Sequence, residues 1–143
     1  MRRAFAAVAP IAVMLVLIAQ ASGRSEATIL TATLTGPYLH APASAGSGTA
    51  RITFTADKVC WKFTFKGLVG PGDSGIHRAP PPALGVHKTA ILPFETPTTM
   101  KPGCASESPA RIKLVLANPG NYYVSIGSKK YPKGAIGGKL HRS

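Results

Sequence analysis

The amino-acid sequence predicts an all-β domain, an antiparallel β-sandwich or flattened barrel of about seven or eight strands with one short helix. Short runs rich in Thr, Ile, Val and aromatic residues recur along the chain, and 15 Gly and 13 Pro in 143 residues punctuate them. Within several runs apolar and polar residues alternate with a period of two, which turns one face of a strand inward. Neither an internal repeat nor a linker divides the chain, so a single domain is expected.

The elements follow in order. Thr28 to Thr35 reads as the first strand and ends at Gly36-Pro37, a pair that favours a turn. After a loop from Tyr38 to Gly48, the alternating run Arg51 to Thr55 is a second strand, and Asp57-Lys58 turns the chain into a third, Val59 to Lys66. There Val59, Trp61, Phe63 and Phe65 share one face, which should be the core face, and Cys60 shares the other with Lys62, Thr64 and Lys66. Gly67 to Leu84, with its Gly-Pro-Gly and Pro80-Pro81-Pro82, reads as irregular, the three prolines being locally extended. A strand is expected over Val86 to Leu92 and a second long loop, carrying Cys104, over Pro93 to Ser108. Ser108 as N-cap and Pro109 at the first helical position predict a helix to Ala117, although Ile112, Leu114 and Leu116 also alternate as a strand would. Asn118-Pro119-Gly120 stops it. Last comes a hairpin over Asn121 to Leu140, turning around Pro132 and Gly134; Tyr122, Val124 and Ile126 should face the core, and Tyr123, Ser125 and Gly127 the outside.

Arg2 and Arg3 precede an apolar run from Ala4 to Ile18, then Ala19-Gln20-Ala21, a small-x-small cleavage site. Residues 1–21 therefore read as a secretory signal peptide cleaved after Ala21, leaving residues 22–143 as the exported domain, secreted or extracytoplasmic. A membrane anchor is the competing reading, but the run is short of the ~20 residues that span a bilayer and is broken by Pro10. No later stretch is long and apolar enough to span, and a domain of this size buries its own core as a monomer.

Cleavage removes two of the 17 Lys and Arg and none of the five Asp and Glu, so the mature formal charge is +10. That charge favours polyanionic partners, an acidic polymer or an anionic cell-surface component. Lys129, Lys130, Lys133, Lys139 and Arg142 on the final hairpin and tail are the candidate contacts. Nucleic acid is not expected, since the chain is exported and carries no aromatic-basic recognition motif. Cys60 and Cys104 form an even pair in an oxidising compartment, which suggests a disulfide. Free thiols or a metal pair are the alternatives, and neither cysteine has a Cys or His at ligand spacing beside it.

The hairpin Tyr-Tyr-Val-Ser-Ile-Gly, followed by Tyr131-Pro132 and Gly134-Ala135-Ile136-Gly137-Gly138-Lys139-Leu140, resembles the C-terminal signature of the CHRD domain. The resemblance extends upstream through Thr31 to Gly36, Gly48 to Thr55, Val59 to Leu68 and Ser74-Gly75-Ile76-His77. Val59-Cys60-Trp61 and Gly103-Cys104 further resemble a single-domain, secreted bacterial subset. His77, Tyr123, Tyr131, Pro132, Gly134, Gly138 and Leu140 match the motif. Four polar signature positions are emptied: this chain has Gly75 and Gly127 for histidines, Ser125 for an asparagine and Gly137 for an arginine. The resemblance implies a non-enzymatic extracytoplasmic module that binds a macromolecule or serves structurally.

A metal-binding or redox role using His77 is the rival reading. One imidazole holds a divalent ion weakly, and His40, His87 and His141 are scattered, so no metal and no cofactor is expected. Nor are catalytic residues expected. The five carboxylates, Glu26, Asp57, Asp73, Glu95 and Glu107, show no acid-base spacing, and the proximity of Asp73, Ser74 and His77 in sequence does not make a triad, which the fold assembles.

Overall fold

A computed structural model describes residues 26–86, 88–94 and 101–143. The expected leader and its cleavage site lie outside the described residues, as do His87 and Glu95. Among the described residues, nine strands form a single antiparallel sheet, joined by one α-helix: β1 (Thr28–Thr35), β2 (Ser47–Phe54), β3 (Lys58–Lys66), β4 (Pro71–Arg78), β5 (Leu92–Phe94), β6 (Gly103–Ser106), α1 (Pro109–Ala117), β7 (Tyr122–Ser128), β8 (Ile136–Lys139) and β9 (His141–Arg142). Their order across the sheet is β5-β4-β7-β8-β1-β2-β3-β6, with the two-residue β9 continuing the β8 side of β1. β1, β2 and β3 form a meander, whereas β4 lies beside β7, and β3 beside β6, as in a Greek key.

The sheet curls until its two edges approach. Trp61 on β3 stacks on Phe94 of β5 with ring centroids 4.8 Å apart, and Phe63 packs against the same ring at 6.1 Å. The result is an eight-stranded, nearly closed barrel with one helix, as the sequence predicts. Leu30, Leu34, Ile52, Phe54, Phe63, Ile76, Val124, Ile126, Ile136 and Leu140 fill it. The core face of β3 is Val59, Trp61 and Phe63, with Phe65 half-buried.

Cys60 and Cys104 are direct partners in the β3–β6 register, 4.0 Å apart at Cα, and are disulfide-bonded. The bond lies on the solvent face of the sheet, since Cys60 alternates with the buried Val59 and Trp61. Gly103, next to Cys104, packs directly on the Trp61 indole: a Cβ there would come within 2.5 Å of the ring.

Five expectations fail. Pro71–Arg78, expected to be irregular, is the strand β4: its Gly, Pro, Asp and Ser are poor strand formers, but β5 and β7 supply ladder partners on both edges. Pro71 stands at the strand's first position, where proline is tolerated, and a register irregularity follows between Pro71 and Ser74. The strand expected over Val86 to Leu92 instead begins at Leu92 and ends at Phe94, and the loop expected over Pro93 to Ser108 contains β6. Helix α1 has the expected bounds, yet the Ser108 side chain makes no cap hydrogen bond. The Glu107 carboxylate accepts from the Ser108 N–H at 2.7 Å and pairs with Arg111 at 3.3 Å, so it serves the helix start instead. Ile112 and Val115, one turn apart, pack on the barrel. Last, β7 is buried along both faces rather than one.

Candidate functional site

The second burial of β7 locates the site. The hairpin is not an edge of the sheet: β7 pairs with β4 and β8 pairs with β1, so the hairpin joins the two halves of the barrel. Ile126 pairs with Ile136 and Ser125 with Gly137, the antiparallel return expected from the alternation. Ser128 and Tyr131 close the turn, the Ser128 N–H donating to the Tyr131 carbonyl at 3.0 Å and the Tyr131 N–H to Ser128 Oγ at 3.1 Å. The Gly134 N–H donates to the same carbonyl at 3.1 Å; its φ of +140° is the left-handed geometry glycine tolerates.

The outer face of β7 carries Tyr123, Ser125 and Gly127, and a second small layer covers it. Tyr38, in the 3-10 turn Pro37–Leu39, packs on Tyr123 with centroids 5.8 Å apart, and His77 of β4 stacks on Tyr123 at 5.1 Å. Burial, and secondarily the neighbouring Tyr38 phenol, push the Tyr123 hydroxyl up to about 12; burial alone raises Tyr38. His77 Nε2 and Ser125 Oγ are hydrogen-bonded at 2.9 Å. Ser74 alternates with His77 across β4 and its buried hydroxyl has no hydrogen-bond partner among the described residues, so the hydroxyl bonded to His77 belongs to Ser125.

The four emptied signature positions converge here. Gly75, Ser125 and Gly137 are successive register partners across β4, β7 and β8, a single row, with Gly127 one step along β7 and His77 one step along β4. Positions up to 62 residues apart in sequence thus share one patch. The space beside the three glycines is closed. A Cβ on Gly75 would meet the Leu92 carbonyl at 2.8 Å and Ala90 at 2.9 Å; on Gly127, the Pro132 carbonyl at 2.6 Å; on Gly137, the Leu39 side chain at 2.7 Å. Replacing Gly75 with histidine is therefore expected to cost about 1–3 kcal/mol, since backbone must shift. Gly72→Ala, whose Cβ meets nothing nearer than 3.6 Å, is the control for denaturant unfolding, and a Gly75→His protein as stable as the parent would refute the closure.

Beside this patch is a cavity of about 380 Å³, walled by Asp73, His77, Lys88, Ser125 and Lys133. Lys88 is held there by donating to the Pro80 carbonyl at 2.8 Å. No group of three His, Cys, Asp or Glu side chains converges at the cavity or elsewhere among the described residues.

The basic residues divide between two ends of the hairpin. Lys129, Lys130 and Lys133 are exposed at the turn, and no carboxylate lies within ion-pair distance of them among the described residues. Lys130 rests over the Tyr131 ring at 5.5 Å. Lys139 lies at the opposite end, opposite Tyr123, its aliphatic chain near Gly120, and Arg142 donates to the Leu116 carbonyl in the last turn of α1 at 2.8 Å. Arg142 thus supports the helix C-terminus, where a cation is favoured. Lys88 joins the turn lysines from a loop that sequence reading did not connect to them; only the fold brings it there.

The remaining motif residues are structural. Gly138 is pressed against the Thr33 carbonyl of β1, Leu140 is in the core, and Pro132 supplies the carbonyl that abuts Gly127. No curated protein and no solved structure matches the chain, but the CHRD domain matches residues 30–140, from the middle of β1 to Leu140 at the end of the hairpin. The chain belongs to the CHRD domain family.

Proposed function

We propose that this protein is a secreted, extracytoplasmic and non-enzymatic CHRD module that contacts acidic polymers or anionic surfaces through the turn of its final hairpin. The observation that carries the reading is the exposure of Lys129, Lys130 and Lys133 on one turn without a carboxylate partner among the described residues. The mature charge of +10 adds long-range attraction of the same sign. The patch where the family signature is polar supports it from the other side: Gly75, Gly127 and Gly137 bring no side chain to do chemistry, and backbone and Leu39 occupy the space.

Exposed charges interact through solvent, so the attraction should be screened within a Debye length of about 8 Å at physiological salt. Binding to polyglutamate or to anionic vesicles is expected to weaken at least tenfold between 50 and 300 mM salt, on the order expected for several simultaneous charge contacts. Replacing Lys129, Lys130 and Lys133 with Gln should flatten that dependence. Binding that ignores both salt and the triple replacement would falsify the charged-hairpin reading.

A further inference from the structure

Among the described residues, four large hydrophobic side chains are conspicuously exposed: Val69 at 74%, Val86 at 51%, Leu114 at 46% and Leu84 at 43%. Three of the four border the same lysine-bearing turn. Val69 shares a recess with Lys130 and Tyr131, and the carbonyls of Val69 and Gly70 accept the Lys129 N–H at 3.2 and 2.9 Å. On the other flank, Leu84 lines a recess of about 200 Å³ with Lys130, Tyr131, Pro132 and Lys133, and Leu84 and Val86 line a cleft with Lys88 and Lys133. Two loops, one carrying Val69 and the other Leu84, Val86 and Lys88, thus present apolar side chains beside the three lysines of the hairpin turn at one end of the barrel.

We infer that this end of the barrel docks on an anionic lipid bilayer, with Val69, Leu84 and Val86 entering the interface and Lys88, Lys129, Lys130 and Lys133 meeting the headgroups. This rests on the proposed contact between the turn and acidic surfaces, and names the surface. A soluble acidic polymer satisfies the ammonium groups but leaves three aliphatic side chains in water. A bilayer satisfies both, since interfacial binding grows with buried apolar area and with attraction to anionic lipid. The half-buried Tyr131, an apolar ring with a polar tip beneath Lys130, suits the headgroup level. The lysine stems also reach along apolar surface while their charges stay wet.

The test compares two probes on the full chain: vesicles of phosphatidylcholine with 30% phosphatidylglycerol, and soluble polyglutamate. In the Val69→Ser, Leu84→Ser, Val86→Ser protein, vesicle affinity is expected to fall at least tenfold, on the order expected for losing three interfacial aliphatic groups, while polyglutamate affinity is unchanged. In the Lys129→Gln, Lys130→Gln, Lys133→Gln protein both should fall, vesicle binding on the order of 100-fold at roughly fivefold per lysine. Because all six side chains are exposed or lie on loops, matching thermal melts should show both variants folded. Polyglutamate binding with no vesicle binding, or vesicle binding indifferent to the serine replacements, overturns bilayer docking and leaves the charged turn standing. Loss of neither probe in the glutamine variant overturns both readings.

Discussion

Replacing Cys60 and Cys104 together with alanine is expected to lower the unfolding free energy by about 4 kcal/mol and the melting temperature by roughly 10–20 °C. The bond closes a loop of 44 residues in sequence separation, and the entropy that such a loop denies the unfolded chain sets the magnitude. Its place in the fold argues for a full effect. β6 is a strand of four residues that, among the described residues, pairs only with β3, and the disulfide joins two residues that already face each other in that ladder. Without it, β6 is held by that short ladder, and the Gly103 contact that covers Trp61 is released with it. Reduction of the wild-type protein should reproduce the loss and shift Trp61 fluorescence toward that of an exposed indole. A double-alanine protein within about 1 kcal/mol of the parent in denaturant unfolding would show that β6 is held by its ladder alone.

Gly138→Ala should cost at least about 3 kcal/mol, because its new methyl group collides with backbone rather than with a side chain that can rotate away. The atom in its way is the Thr33 carbonyl of β1. This is the line along which the β1–β3 meander meets the hairpin: Thr35 pairs with Gly137, and pairing resumes only at Thr31 with His141. A one-atom wedge there pushes β8 off β1, so the damage extends to the closure of the barrel. Gly85→Ala is the matched control, because Gly85 has φ +80° with nothing within 4 Å of a Cβ and should show only the strain of a positive φ, about 1 kcal/mol. If the two alanine variants unfold at the same denaturant concentration, the close approach of β8 to β1 is not what makes Gly138 necessary.

Several features were decided within the local sequence. The first strand has the bounds its Thr-, Ile- and Leu-rich run and its Gly36-Pro37 stop predict, and the aromatic parity of β3 reads directly as inside and outside. Pro109 and the Asn118-Pro119-Gly120 stop likewise bound α1, and the hairpin's return is legible in its own alternation and turn residues. In each case the forces that choose the conformation act between residues a few positions apart: turn chemistry, proline geometry, and the period of two.

Tertiary structure decided the rest. Pro71–Arg78 lacks strand propensity and is a strand because β5 and β7 flank it, and Gly103–Ser106 is a strand because it pairs with β3, with Cys104 opposite Cys60. The outward face of β7 is buried because Tyr38 and Leu39, some 85 residues earlier, fold over it. The four emptied signature positions become one patch only when β4, β7 and β8 lie side by side, and Lys129, Lys130 and Lys133 gain Val69, Leu84, Val86 and Lys88 as neighbours only when three loops meet at one end of the barrel. Periodicity reports how a strand presents its two faces, but what covers each face depends on ladder order, which distant residues fix through pairing and packing.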